Sequence, residues 1–332
     1  MMGNSFGKLN FVLLMVLLGL MATQSLVIAQ APFPTHPVMI WVGFPAGGGT
    51  DIILRALAES TENSLGQRIL VVNKPGGTGA VCASLIAKVK PDGYTIAGFS
   101  DVPITRSPHL MDLDYDPFRD LSYVIRVGFW KNAFVVRADS PFKKWEDVVD
   151  WAKKNPGQLV YGYPGAGSVP HLGMAKIAIK EGFAYKGVPF AGAGPLVSAL
   201  LGGHVMVGGG DSLAWRGHVQ AGTVRVLLVF EKEGLDYASS APTFEKAHYD
   251  FELPTSVIIC APAGIPDLMK EVLEKAFIGG MTQERFKRVA KDQELLLTEP
   301  LTRKPLVDYL RKRNLLYEQY IKEAGIYKIE KK

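Results

Sequence analysis

A two-lobed α/β protein is the fold this 332-residue sequence predicts, and three observations carry it. Short β-branched apolar runs alternate with helix-spaced segments through most of the chain. That rhythm restarts after Pro141, behind two adjacent strand-like runs. Each half also contains a strand, a glycine loop and a helix in direct succession. A single large doubly wound sheet is the alternative.

The elements follow in order. "PVMIWVGF" (37–44) reads as a buried strand, and "TDIILRALAESTENSLG" (50–66) as a helix capped by Thr50 or Asp51 and ended by Gly66. "RILVVN" is a second strand, "KPGGTG" a second glycine loop, and "AVCASLIAKVK" a second helix. "DGYTIAGFS" closes a βαβαβ unit, for which a parallel sheet is the expectation. "SYVIRVGFWKNAFVVRADSP" (122–141) holds two strand-like runs. Then "KKWEDVVDWAKKN" is a helix, "QLVYGYP" a strand, "GAGSVPH" a glycine loop and "LGMAKIAIKEG" a helix. The alternation continues to "TVRVLLVF", and "VIICAPAG" (257–264) reads as a late strand returning to the first sheet. Helices are expected at 266–277, 282–289 and 305–323.

The first thirty residues have another character. One Lys precedes the unbroken apolar run Phe11–Met21, and Ala29-Gln30-Ala31 has the small-x-small pattern of a cleavage site. This is the layout of a secretory signal, and the run is shorter than the roughly 20 residues a membrane span needs. The mature chain is therefore expected to be exported and to start near Pro32. A net charge of +5 with dispersed basic residues argues against a nucleic-acid partner. Cys82 and Cys260 make no disulfide framework and read as buried free thiols. The six His are scattered, so no metal or other cofactor is expected.

Two loops carry the chemistry. In Pro45-Ala46-Gly47-Gly48-Gly49-Thr50-Asp51, glycines running into a helix start offer bare N–H donors and the positive end of the helix dipole. No Lys-Ser/Thr follows, and the third glycine is misplaced for a dinucleotide fingerprint, which leaves an anion cradle or a tight turn. In Gly165-Ala166-Gly167-Ser168-Val169-Pro170-His171, Ser168 is placed as a helix cap with His171 one turn on. That grouping suits a carboxylate. A Ser–His nucleophile is the enzymatic alternative, but Pro170 breaks the G-x-S-x-G pattern. Ser100-Asp101, "VPFAGAGP" (188–195) and "GGGDS" (208–212) add openings at predicted strand ends. "MDLDYDPFRD" (111–120) reads as an exposed turn-rich segment.

Six ordered blocks, from "VGFPAGGGTDIILRALAE" through "YGYPGAGSVPHLGMAKI" and "VPFAGAGPLVSALLGGHV" to "ICAPAGIP", give the mature chain a family likeness. Over Pro37–Gly325 it resembles the periplasmic solute-binding receptors of tripartite tricarboxylate transporters, the TctC or Bug family. The resemblance implies a type II periplasmic-binding-protein fold: two α/β lobes joined by two crossover segments with a ligand cleft between them. The divisions would be a signal peptide at 1–31, lobe I at 32–133 plus 255–332, and lobe II at 134–254. Implied ligand contacts are Gly48, Gly49, Thr50 and Asp51 from one lobe, and Gly167, Ser168 and His171 from the other. Ser100, Asp101, Phe190, Ala193 and Asp211 complete the candidate set at the remaining strand ends.

The implied function is capture of a small organic acid by a monomeric, non-catalytic periplasmic protein, with delivery to a membrane permease. An exported esterase or transferase acting on small acids is the alternative. Two departures bear on the ligand. The block often read as Val-Pro-Tyr-Lys-Gly is here Val188-Pro189-Phe190-Ala191-Gly192, without the hydroxyl and the cation. Asp101 stands where a small neutral residue is common, and Met206 where Asp is common. A bare Asp101 carboxylate is expected to repel a plain dicarboxylate unless the ligand also carries an amine, a cation or an apolar body.

Overall fold

The computed structural model describes residues 33–327, so the expected signal segment and its cleavage near Ala31 lie outside the described residues. The first part of the chain runs β1 (Val38–Val42), α1 (Gly49–Leu65), β2 (Ile69–Asn73), α2 (Ala80–Ile86), β3 (Thr95–Ser100), α3 (Val102–Thr105) and α4 (Ser107–Leu110). Strands β4 (Leu121–Trp130) and β5 (Asn132–Arg137) come next, separated by Lys131 alone. The second unit runs α5 (Trp145–Lys154), β6 (Leu159–Tyr163), α6 (Val169–Glu181), β7 (Tyr185–Pro189), α7 (Ala193–Leu201), β8 (Val207–Asp211), α8 (Ser212–Gln220) and β9 (Val224–Val229). The chain then returns through β10 (Thr255–Pro262), α9 (Asp267–Thr282), α10 (Glu284–Asp292), β11 (Leu295–Leu296) and α11 (Arg303–Glu323).

Two sheets result, in the orders β11-β4-β10-β3-β1-β2 and β7-β6-β8-β5-β9. β4 and β5 look like a hairpin in sequence but belong to different sheets, so Lys131 is one crossover and 230–254 the other. The parallel pairing expected of the βαβαβ unit holds for β1, β2 and β3, and β6 is likewise parallel to β7 and β8; the returning β10 lies antiparallel between β3 and β4. Strand direction depends on how the chain comes back to the sheet, which apolar alternation does not encode.

Each sheet is covered on both faces, as buried parallel strands require. Val38, Ile40, Ile53 and Leu57 pack with Leu273 and Phe277 on one side of the first sheet, while Cys82, Phe99 and Cys260 pack on the other. Both thiols are free and buried. The second sheet carries an aromatic core in which Phe134 stacks on Trp145 at 5.0 Å and meets Phe230 edge-on at 4.8 Å. The last helix serves both lobes. Leu306 and Leu310 of α11 enter the first core, and Tyr317, Tyr320 and Ile321 enter the second.

Candidate functional site

Parallel strands β1, β3, β6 and β7 each end in a short loop that leads into a helix. Such strand ends gather helix N-termini at one edge of a sheet, where unpaired N–H groups and dipoles favour an anion. The single-residue crossover at Lys131 sets the two edges against each other. At Gly49, a Cβ would lie 3.0 Å from the Trp130 ring, the last residue before that crossover. At Gly167, where φ is +71°, a Cβ would collide with the Leu110 methyl of α4, so the lobes touch there.

The first loop is stiffened from within. Gly48, not Thr50 or Asp51, is the N-cap of α1, and it makes no side-chain cap. Asp51 instead reaches back. Its carboxylate accepts from Gly47 N–H at 2.9 Å, from Arg55 Nε at 2.9 Å and from Asn73 Nδ2 at 2.7 Å. Burial pulls the Asp51 carboxyl up, but these bonds outweigh burial and hold it below the usual carboxylate range. The Asp51 carboxylate is thus engaged by the loop itself. The N–H groups of Gly49 and Thr50 have no acceptor among the described residues.

In the second loop Ser168 is the N-cap of α6, as expected, with Oγ accepting from His171 N–H at 3.4 Å. The imidazole faces elsewhere. Its Nδ1 accepts from Gly167 N–H at 3.2 Å, and its ring stacks on Tyr163 at 4.1 Å. Burial lowers the His171 pKa to about 4, so the ring is neutral with Nδ1 as acceptor. No ring nitrogen of His171 bonds the Ser168 hydroxyl, and the nucleophile–base geometry is not formed.

Because the folded His171 pKa lies below the unfolded value, the unfolded chain binds the extra proton as pH falls from about 6.5 to 4. The stability from this ring is complete above that window and lost through it. The melting-temperature advantage of the wild type over His171→Phe should therefore shrink between pH 7 and pH 4. A constant difference across that range would contradict the assignment.

Asp101 overturns an expectation. It is fully buried, and Arg106 Nη2 sits 2.6 Å from its Oδ1 with both side chains shielded. Burial pushes this carboxyl up and the Arg106 guanidinium pulls it back. The guanidinium also lies 4.7 Å over the Tyr317 ring and contacts Thr255 Oγ at 3.3 Å. Asp101 therefore presents no bare charge to the cleft. Ser100 is buried beside it, its Oγ without a partner.

Phe190 is half-buried against Leu196, Leu200 and Val205 on the other face of the second sheet, and its N–H donates to Tyr163 O at 2.9 Å, tying the end of β7 to the end of β6. Ala193 is the first residue of α7, behind an N-cap Gly192 that gives no side-chain bond. Asp211 ends β8 in register with Asn132 of β5, next to the crossover. Its side chain is open to solvent yet walled by protein, and burial raises its pKa to about 6, with Arg106 opposing. At the same crossover Glu231 accepts from Asn132 N–H at 2.8 Å, and burial raises its carboxyl to about 8. Two concavities of about 280 and 260 Å³ lie elsewhere, one behind the crossover around Lys131 and Arg216, one at Pro108–Pro117. Neither touches the glycine loops, so strand ends and helix starts locate the site better than volume does.

A family model described as "Tripartite tricarboxylate transporter family receptor" matches residues 53–302. The chain belongs to this family. A Cupriavidus necator protein described as a UPF0065 protein is 34% identical over 273 residues, covering 80% of this chain and 83% of its own. A TctC solute-binding protein from Polaromonas superposes with a TM-score of 0.74 at 26% identity, over 88% of this chain and 99% of that one. A Rhodopseudomonas palustris protein solved with adipate superposes with a TM-score of 0.79 at 24% identity, over 90% and 100% of the two chains. Another, solved with malate, gives 0.74 at 24%, over 87% and 100%. These last two likenesses speak for the fold, which is the two-lobed solute-binding fold of the family.

Among the described residues, no helix is long and apolar enough to cross a membrane. Sequence reasoning missed Arg106, Trp130, Asn73 and Leu110. Arg106 left one signal, a lone cation inside the otherwise uncharged stretch "VPITRSPHL".

Proposed function

We propose that the chain is an extracytoplasmic receptor that captures a small carboxylate-bearing ligand between its lobes and hands it, unchanged, to a tripartite tricarboxylate-type permease. The observation that carries this reading is the pair of glycine loops at facing helix starts, one leaving Gly49 and Thr50 N–H free, the other ordered by Ser168 and His171. Gly48, Gly49, Thr50, Gly167 and Ser168 are the proposed contacts, with Ser100, Phe190, Ala193 and Asp211 around them. Asp51 and His171 hold the loops in shape. Small organic acids in two neighbours of the same fold add support.

The mechanism is hinge closure: a ligand touching both loops favours the closed arrangement by its differential affinity. The lobe limits in this reading lie near 133 and 254; the strands change sheet at Lys131, and α11 packs into both cores. The receptor acts as a monomer in the periplasm once the signal segment is removed. The lack of a Ser168–His171 ring contact favours binding over hydrolysis.

Native mass spectrometry of freshly purified protein should release a small acid of unchanged mass after prolonged incubation; conversion of the acid would support the enzymatic alternative instead. Ser168→Ala should cost about 1 kcal/mol of stability through the lost cap. It should also weaken acid binding measurably in titration calorimetry. Unchanged affinity would remove Ser168 from the contacts.

A further inference from the structure

Taking that cleft as the site, we infer that the ligand also carries a positively charged amine, which pairs with Asp211.

The position of Asp211 follows from contacts already described. Trp130 lies under Gly49 of the first loop, Lys131 follows it, and Asn132 is in register with Asp211. On its other side β8 runs parallel to β6, with Gly208 paired to Gly162, so the C-terminal end of β8 at Asp211 lies on the side where β6 runs into the second glycine loop. Asp211 therefore sits at the base of the cleft between the two loops.

Asp211 is the N-cap of α8, where aspartate commonly bonds a first-turn N–H, yet it makes no side-chain cap. Its carboxylate has no hydrogen bond or ion pair among the described residues. The one cation that acts on it, Arg106, already neutralises Asp101 at 2.6 Å. Lys131, the nearest cation in sequence, points its Nζ at Gly234 O at 3.1 Å. Arg106 thus faces two carboxyl groups, Asp101 and Asp211, and bonds only the first. Closing the lobes removes water from the second, which is costly without a partner. An ammonium on the ligand supplies the partner, while the ligand's carboxylate takes the helix N-termini. The ligand class is thus an amino-carboxylate.

The test uses matched probes that differ by one group: aspartate against malate, 2-aminoadipate against adipate, and 6-aminohexanoate against hexanoate. Each is titrated calorimetrically into wild-type protein and Asp211→Asn. The wild type should prefer the amine-bearing member of at least one pair by about tenfold or more, as a charge-assisted bond in a shielded site allows. Asp211→Asn should erase that preference while leaving the amine-free acid bound as well or better. Binding of the amine-free members with no amine preference in the wild type would overturn the inference and leave the receptor reading standing. Equal weakening of both members by Asp211→Asn would also overturn it, as a structural role. If no carboxylate of either kind binds, the receptor reading fails with it.

Discussion

Arg106→Met lowers the melting temperature by roughly 6–20 °C, the largest stability loss expected of a single change near the site. Removing the guanidinium strands the Asp101 carboxylate, which has no exposure to water and whose Oδ2 already lacks a partner. It also strips the stacked cation from Tyr317 and one partner from Thr255. Breaking a buried pair from one side costs about 3–5 kcal/mol, whereas replacing both partners by apolar groups is often neutral. Asp101→Leu combined with Arg106→Met should therefore recover most of the loss in a calorimetric melt. If the single variant melts like the wild type, the pair is not the framework described here. The same series checks the correction at Asp101: a direct ligand contact would cost affinity in the double variant, whereas a framework role would not.

Gly49→Leu abolishes ligand binding, with affinity falling by roughly 100-fold or more, while the protein stays folded. Two facts separate the effects. Gly49 is the first residue of α1 and is not among the positive-φ glycines, so a side chain there meets no backbone strain. A Cβ would, however, lie 3.0 Å from the Trp130 ring, so a leucine side chain must push that ring or the loop itself out of place at the proposed cradle. Gly47 is a poor control, because its φ of +79° penalises any side chain whether or not a ligand binds. Titration calorimetry on Gly49→Leu, with a thermal melt to show folding, reads both quantities. Undiminished binding would place the carboxylate elsewhere.

The parts of this fold that were legible in sequence are those set by local chemistry. β1, the glycine loop and α1 stand out because an apolar run, three small residues and a helix-spaced segment are contiguous. Ser168 was legible as a cap because capping is a local bond between a hydroxyl and an N–H three residues on. What was not legible depends on pairing at a distance. The antiparallel insertion of β10 is decided by where the returning chain meets β3 and β4. Asp101 reads as a bare charge in sequence because α3 and α4 are four residues each, too short to show which face turns to Arg106. Asp51 reads as a ligand contact in sequence, which does not show Asn73, at the end of another strand, reaching its carboxylate. The glycine loops pointed to the proposed site, and the bonds made by Asp51 and Asp101 behind them determine which charges would face it.

The claim at the centre is that these loops close on a small carboxylate. A thermal-shift series of wild type and Gly49→Leu against a panel of small organic acids, amine-bearing and amine-free, tests it directly. A ligand at about a hundred times its dissociation constant adds about 2.7 kcal/mol to the native state. For a protein of this size that corresponds to a rise of roughly 5–10 °C. The account predicts such a rise for at least one acid in the wild type and none for that acid in Gly49→Leu. No shift from any acid in the wild type, or an equal shift in the variant, would contradict it.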